Sequence, residues 1–95
     1  MRKFLKESTV QTSIIKFLKS EGWFVVKIIQ ASVNGMPDVM AIKEGRTIFI
    51  EVKSGRYKNA EDGLRPLQIA RINQLRQAGV DVFVTNNLQD FKSII

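Results

Sequence analysis

The first clear pattern along the chain is an apolar stripe at helical spacing. Within residues 7–20, Val10, Ile14 and Leu18 recur every four residues, which places them on one side of a helix. Gly22 follows this segment and is expected to end the helix. The segment therefore predicts an amphipathic helix whose apolar side faces a sheet.

Strands are predicted where β-branched and aromatic residues are concentrated. These segments are residues 23–29, 38–42, 47–53 and 80–85. A tight turn at residues 43–46 joins the second and third strands. Residues 66–78 predict a second helix, which Pro66 opens and Gly79 ends. Residues 87–95 predict a short closing helix.

The resulting order of elements is αβββαβα. The second and third strands are expected to pair as a hairpin, and the helix between the third and fourth strands allows those two to run parallel. The third strand is apolar on both sides at Ile48, Phe49 and Ile50, which indicates burial from both faces. We therefore predict an α/β fold with a mixed four-stranded sheet flanked by helices. The length of 95 residues predicts one domain over residues 1–95.

Composition removes several kinds of chemistry. The sequence has no Cys and no His, which excludes a disulfide scaffold, a thiolate zinc site and every mechanism that needs a His base. The net charge of +6 is typical of a domain that meets a polyanion, although solubility alone also accounts for it. We find neither a membrane-spanning apolar run nor a secretion signal, so we expect the cytoplasm.

The hairpin places two acids opposite each other. If Glu44 and Gly45 form a two-residue turn, Lys43 pairs with Arg46, and counting back along both strands sets Asp38 against Glu51. Since side chains alternate along a strand, Lys53 projects from the same face as Glu51. A three-residue turn would shift this register by one.

Directly opposed carboxylates repel each other, so their placement requires a stabilising factor. A divalent cation such as Mg²⁺ is one, because it binds one or two carboxylates and completes its octahedron with water and phosphate oxygens. Three alternative interpretations explain these residues without a functional role. Glu51 and Lys53 can form an ordinary ion pair at a strand end, the short ExK pattern recurs by chance, and Asp38 after Pro37 can be part of a turn.

Each of the first two helices adds one polar residue to the candidate site. Glu7 falls in the middle of the stripe of the first helix that should face the sheet, where a carboxylate needs a metal or a cation. It can also simply complement the helix dipole. Gln68 falls within the inward arc predicted for the second helix, with Leu67, Leu75 and Ala78. It could reach a metal-bound water or a phosphate, or be a satisfied buried amide.

The long polar segment at residues 54–65 carries Arg56, Lys58 and Arg65. Basic side chains so close to the candidate site could contact DNA phosphates. A solvated loop is the alternative interpretation for these three residues.

At these residues the chain resembles the PD-(D/E)xK nuclease superfamily, and within it the virus-type replication-repair nuclease (VRR-NUC) branch. The resemblance rests on Glu7, on GMPD at residues 35–38, on EVKS at residues 51–54 and on Gln68, and it covers most of the chain. It implies a restriction-endonuclease-like fold and a metal-dependent DNA phosphodiesterase. Asp38, Glu51 and the Val52 carbonyl would then hold Mg²⁺ or Mn²⁺.

The same resemblance implies roles for the other residues. Glu7 would be a further acid at the metal, directly or through a water, and Lys53 would orient the attacking water and stabilise the developing charge. Gln68 would join Asp38, Glu51 and Lys53 in catalysis. In many relatives this fold is part of a larger protein that supplies DNA-binding surface. In this small module a second copy could supply that surface, so we expect a homodimer that acts on Holliday junctions or other branched DNA. A monomeric flap or single-strand nuclease, a non-catalytic DNA-binding module and a small interaction protein are the alternatives.

Overall fold

A computed structural model describes residues 3–95 and confirms the predicted order of elements. The helices are α1 (Glu7–Ser20), α2 (Pro66–Gln77) and α3 (Leu88–Ile94). The strands are β1 (Phe24–Lys27), β2 (Val39–Lys43), β3 (Arg46–Val52) and β4 (Asp81–Thr85). A 3-10 helix spans Ala60–Gly63. Within the described part of the chain, none of the helices has the length and apolar character needed to cross a bilayer.

The sheet has the predicted mixed topology. Its strand order is β1-β2-β3-β4, with β1–β2 and β2–β3 antiparallel and β3–β4 parallel. Helix α2 makes the crossover that a parallel connection requires. As a result, β3 is central and is hydrogen-bonded along both of its edges.

The two faces of the sheet carry separate apolar clusters, because side chains alternate along each strand. We call them the α1 face and the α2 face. The α1 face packs against α1 and α3 through completely buried side chains: Val10, Ile14, Leu18, Val39, Ala41, Ile48, Ile50, Val52 and Phe91. On the α2 face, Phe49, Ile72 and Val82 form a smaller cluster flanked by Met40 and Val84. The predicted burial of the third strand from both sides is thereby confirmed.

The β2–β3 hairpin has the two-residue turn that the register depends on. Glu44 has a φ of 51° and Gly45 a φ of 79°, so both central residues are in the left-handed region. This is the backbone of a type I′ turn, whose twist matches that of the strands it joins. Lys43 pairs with Arg46 and Met40 pairs with Phe49, as predicted.

Two sequence predictions of element detail are wrong. The first strand is shorter than residues 23–29, because the chain leaves the sheet after Lys27 and only the Ile28 N–H still bonds, to the carbonyl of Asp38 at 2.7 Å. Helix α2 does not face inward through Leu67 and Ala78, which are exposed. Its buried residue is Ile72. The inward side therefore carries Gln68, Ile72 and Leu75, so the predicted arc is correct for Gln68 and Leu75 and wrong for Leu67 and Ala78.

The loop between β1 and β2 is held against the start of α2 at Gly35. This residue has a φ of 82°, and a Cβ built on it would lie 2.9 Å from the Leu67 carbonyl oxygen and 3.1 Å from Leu67 Cγ. Arg71 Nε donates to the carbonyl of Asn34 at 2.7 Å. Glycine is thus required here both for backbone conformation and for the close approach of the loop to the helix.

We predict that Gly35→Ala destabilises the protein more than Gly79→Ala does. Both glycines have positive φ, but no described atom lies within 4 Å of a Cβ built on Gly79. Both substitutions therefore add backbone strain of about 1–2 kcal/mol, and Gly35→Ala adds a steric clash worth about 1–3 kcal/mol more. Urea denaturation measures the difference in free energy of unfolding. Equal losses for the two variants would show that the loop moves away from the helix without cost.

Candidate active site

Asp38 and Glu51 face each other at the end of the hairpin. Val39 pairs with Ile50, so the next position along each strand sets Asp38 opposite Glu51. Asp38 Oδ2 also accepts a hydrogen bond of 2.8 Å from the Val52 N–H. This bond fixes the Asp38 carboxylate at the point where β3 ends.

Glu51 and Lys53 are both buried on the α2 face. Their exposed fractions are 2% and 6%, which is unusual for charged side chains. Lys53 Nζ lies 3.5 Å from Glu51 Oε2. The Lys53 N–H donates to the Thr85 carbonyl at 2.9 Å, so the parallel partner strand β4 holds the backbone of Lys53 in place.

Gln68 completes the cluster from the first turn of α2. Its Oε1 accepts from Lys53 Nζ at 2.9 Å and from the Arg65 N–H at 3.0 Å. Its Nε2 lies 3.4 Å from Glu51 Oε2. Gln68 thus caps the helix and contacts both charged residues of the site, so its amide is satisfied, and its contact with a metal-bound water or a phosphate stays a prediction.

Burial dominates the electrostatics of Glu51. Loss of solvent, followed by the nearby Asp38 carboxylate, raises the pKa of Glu51 from 4.5 to about 8, although Lys53 acts in the opposite direction. Within residues 3–95, Glu51 Oε1 is buried without a hydrogen-bond partner. An unsatisfied buried carboxylate oxygen is costly, so this atom marks a place where a cation or a donor fits.

The donor set fits a hard divalent cation. Asp38 and Glu51 supply carboxylate oxygens, and Mg²⁺ needs only one or two of these when water and phosphate complete its shell. Within the described residues, the structure brings together no group of three or more acidic side chains suited to a metal ion. The protein's own acidic contribution at this point is therefore the opposed pair.

Glu7 does not take the inward position predicted for it. It is the first residue of α1 and is exposed, and α1 packs on the opposite face of the sheet from Glu51. The apolar stripe begins one turn later at Val10, because Glu7 precedes the part of the helix that covers the sheet. The segment before α1 does reach the loop after Lys53, since the Leu5 carbonyl accepts from the Gly55 N–H at 2.9 Å.

The basic residues predicted for DNA contact are all exposed. Arg56, Lys58 and Arg65 lie in the segment between β3 and α2, which begins directly after Lys53. Sequence reasoning did not identify Tyr57 and Asn86, which order this segment, although a single aromatic residue within a polar loop was a usable signal. It also did not identify the Arg71 contact that supports the neighbouring loop.

The chain is similar to known proteins both in sequence and in structure. The sequence matches the family described as archaeal Holliday junction resolvase (Hjc) over residues 5–86. A solved structure described as a VRR_NUC domain is similar with a TM-score of 0.80 and 25% sequence identity, and the match covers 95% of this chain and 94% of that chain. No curated protein matches the chain.

A mixed sheet that carries an opposed Asp–Glu pair and a Lys at the end of its hairpin is the architecture of a PD-(D/E)xK nuclease. The solved VRR_NUC domain has the same fold over nearly its whole length. The chain belongs to the archaeal Holliday junction resolvase family, which is part of the same nuclease superfamily. The predicted superfamily and fold are therefore confirmed, and the chain is a nuclease.

The raised pKa of Glu51 predicts that the metal-free protein loses stability as the pH rises from about 4.5 to about 8. The folded state binds this proton more tightly than the unfolded state does. The resulting stabilisation is complete at pH values below the pKa of Glu51 in the unfolded state, and it is lost as the pH rises through the pKa of Glu51 in the folded state. Each unit of pKa shift corresponds to about 1.4 kcal/mol, so the loss is on the order of a few kcal/mol. Glu51→Gln should lack this pH dependence.

Urea denaturation at a series of pH values, with EDTA present, measures the effect. The chain has no His, so no imidazole titrates in this window. Glu61→Gln is the matched control, because Glu61 is exposed in the 3-10 helix and its replacement should leave the wild-type slope unchanged. A wild-type stability that stays level or rises between pH 5 and 8 would contradict the burial effect.

Proposed function

We propose that this nuclease is a divalent-metal-dependent DNA endonuclease that cleaves Holliday junctions or other branched DNA. One observation supports the metal dependence. The Glu51 carboxylate is buried opposite Asp38, and its Oε1 atom has no hydrogen-bond partner within the described residues. Lys53 lies 3.5 Å from the other oxygen, Oε2, so a cation at Oε1 would supply the further positive charge that favours the ionised form of this buried group. The name of the family, whose members are described as Holliday junction resolvases, supports the choice of substrate.

Asp38, Glu51 and the Val52 carbonyl are the proposed ligands of Mg²⁺ or Mn²⁺. The Val52 N–H holds Asp38 through the 2.8 Å hydrogen bond, so the backbone of Val52 and the side chain of Asp38 stay together. Glu7, exposed at the start of α1, is the proposed further acid and acts through a water. When bound, the ion neutralises phosphate charge and lowers the pKa of a water molecule.

Lys53 is the proposed group that orients the attacking water and stabilises the developing negative charge. A phosphodiester is already anionic, so its hydrolysis depends on placing positive charge and an in-line water at the phosphorus. Gln68 holds Lys53 Nζ at 2.9 Å, and Thr85 holds the Lys53 backbone. Both contacts keep the ammonium group beside Glu51 before the substrate arrives, which reduces the reorganisation needed during reaction.

Arg56, Lys58 and Arg65 are the proposed DNA contacts outside the site. They are exposed and follow β3 along the chain, and the protein has a net charge of +6. Each phosphate neutralised releases counterions, so the affinity should fall with salt.

A homodimer is proposed as the active form. The chain is small, and it exposes several large apolar side chains, among them Phe24, Ile29, Leu67 and Ile69. A partner subunit would remove part of this apolar surface from water. A two-fold dimer would present two equivalent sites to a two-fold junction, which would allow symmetric nicking.

We predict that Asp38→Asn, Glu51→Gln and Lys53→Ala each reduce DNA cleavage by at least roughly 100-fold while DNA binding is largely retained. The first two substitutions remove a charged metal ligand, and the third removes the positive charge that stabilises the developing negative charge. Nicking of supercoiled plasmid with Mg²⁺ or Mn²⁺ measures the loss. Cleavage by wild type in excess EDTA, or by any of these variants at the wild-type rate, would refute the metal-dependent mechanism.

Thermal melting supplies a second readout of the same variants. At a metal concentration of 100 Kd, binding should stabilise wild type by about 2.7 kcal/mol. The metal should barely affect Asp38→Asn. Without metal, that variant should melt no lower than wild type, since its amide oxygen can still accept from the Val52 N–H and the repulsion with Glu51 is relieved. Equal metal shifts in both proteins would place the ion elsewhere.

The dimer and its substrate generate a separate prediction. Light scattering should give twice the monomer mass, and a four-way junction should receive paired nicks related by symmetry. Linear duplex DNA of the same sequence is the substrate control, and Asp38→Asn is the protein control. A monomer that trims flaps and leaves four-way junctions intact would overturn the dimeric resolvase and would leave the nuclease class unchanged.

A further inference from the structure

The turn that follows Lys53 is fixed by several hydrogen bonds. The Ser54 carbonyl accepts from the Tyr57 N–H at 3.3 Å, and Ser54 Oγ accepts from the Arg56 N–H at 3.2 Å. The Gly55 N–H donates to the Leu5 carbonyl, which ties the turn to the segment before α1. Residues 54–57 therefore have a defined backbone, although they lie in a polar loop.

Tyr57 is held through both its backbone and its ring. Asn86, which is buried, donates from Nδ2 to the Tyr57 carbonyl at 2.6 Å. A Cβ built on Gly63 would lie only 2.7 Å from Tyr57 Cε2, so the ring rests directly on the 3-10 helix. Tyr57 is therefore held at its ring by the 3-10 helix of the same loop and at its backbone by Asn86, which is 29 positions away in sequence.

Arg56 is held in turn by Tyr57. The guanidinium carbon of Arg56 lies 4.8 Å from the centroid of the Tyr57 ring, and Arg56 Nη2 donates to the Tyr57 hydroxyl at 2.9 Å. A guanidinium group has five N–H donors, and this bond uses one of them. Because Arg56 is exposed, its group is accessible to an anion while the ring restricts its conformations.

We propose that Tyr57 is a positioning residue that holds Arg56 ready to bind a backbone phosphate next to the scissile one. Arg56 follows Lys53 by three residues, so their Cα atoms are at most about 11 Å apart. Since successive nucleotides of one strand rise 3.4 Å along duplex DNA, that distance corresponds to only a few nucleotides. The inference rests on the proposed function, because it assigns a phosphate contact to the same DNA.

The charge around Tyr57 supports an anionic ligand. Lys3 and Lys58 line a cleft of about 390 Å³ that also borders Tyr57 and Gly55. None of the described residues that line this cleft is acidic. Tyr57 therefore borders a cleft whose charged lining residues are basic, and such a lining favours an anionic ligand over a cationic one.

Binding of a fluorescent four-way junction, measured by anisotropy in EDTA, tests the inference without cleavage. Arg56→Gln should weaken binding roughly 3- to 10-fold, as expected for one hydrogen-bonded contact at a solvent-exposed site. It should also reduce the slope of log K against log salt by about 0.9. Tyr57→Leu should show the same two changes, and the double variant should show no further loss, because Tyr57 acts through Arg56. Tyr57→Phe, which keeps the ring, should stay within roughly two-fold of wild type.

Two further variants separate positioning from general effects. Lys16→Gln removes an exposed positive charge from α1 and should reduce affinity less than Arg56→Gln does. If the Tyr57→Leu variant unfolds, Gly63→Ala is used in its place. The added Cβ displaces the Tyr57 ring while the residues at positions 56 and 57 stay unchanged. Gly63→Ala should weaken binding in wild type and should have no effect in the Arg56→Gln background.

The inference is overturned if the losses from Arg56→Gln and Tyr57→Leu add, if Tyr57→Leu or Gly63→Ala binds with wild-type affinity and salt slope, or if wild type does not bind DNA. Its failure is distinct from that of the proposed function. A wild type that cleaves no DNA with Mn²⁺ refutes the function, whereas the coupling between Arg56 and Tyr57 is decided by binding in EDTA alone.

Discussion

The constraint on which the structure depends is the burial of Glu51 opposite Asp38. A carboxylate with 2% exposure at the end of a central strand opposes folding unless its charge is compensated. Lys53 and Gln68 compensate one oxygen, whereas the other has no partner within the described residues. The protein therefore keeps a partly unsatisfied group in its interior, which is typical of a site where function rather than stability determines the residues.

The elements around this pair act mainly to hold it in place. The hairpin turn sets the register, α2 supplies Gln68, and β4 fixes the backbone of Lys53 through the Thr85 carbonyl. The close packing of Gly35 on α2 joins the loop before Asp38 to the helix that carries Gln68. Positions far apart in sequence thus meet at one end of the sheet, where small displacements would change the distances between the charged groups.

The opposition of Asp38 and Glu51 could be predicted because it depends only on the length of a turn and on the alternation of side chains. The place of Glu7 could not, since helical spacing gives a direction around the axis but does not reveal where the helix begins to cover the sheet. For α2, an error of part of a turn in the predicted inward direction was enough to place Leu67 on the buried side, where the structure has Ile72. The order in residues 54–65 depends on Asn86, a contact across 29 residues that no local pattern encodes.

The parallel pairing of β3 with β4 also has a consequence for how the site forms. The hairpin joins residues close in sequence, and Asp38 and Val52 are only 14 positions apart. The bond from Lys53 to Thr85 spans the whole α2 crossover, and closing a longer loop costs more chain entropy. The two carboxylates can therefore be brought together while the C-terminal part of the chain is still unfolded. Lys53 acquires its backbone anchor only when β4 pairs with β3, so the complete site requires the C-terminal part of the chain to be folded.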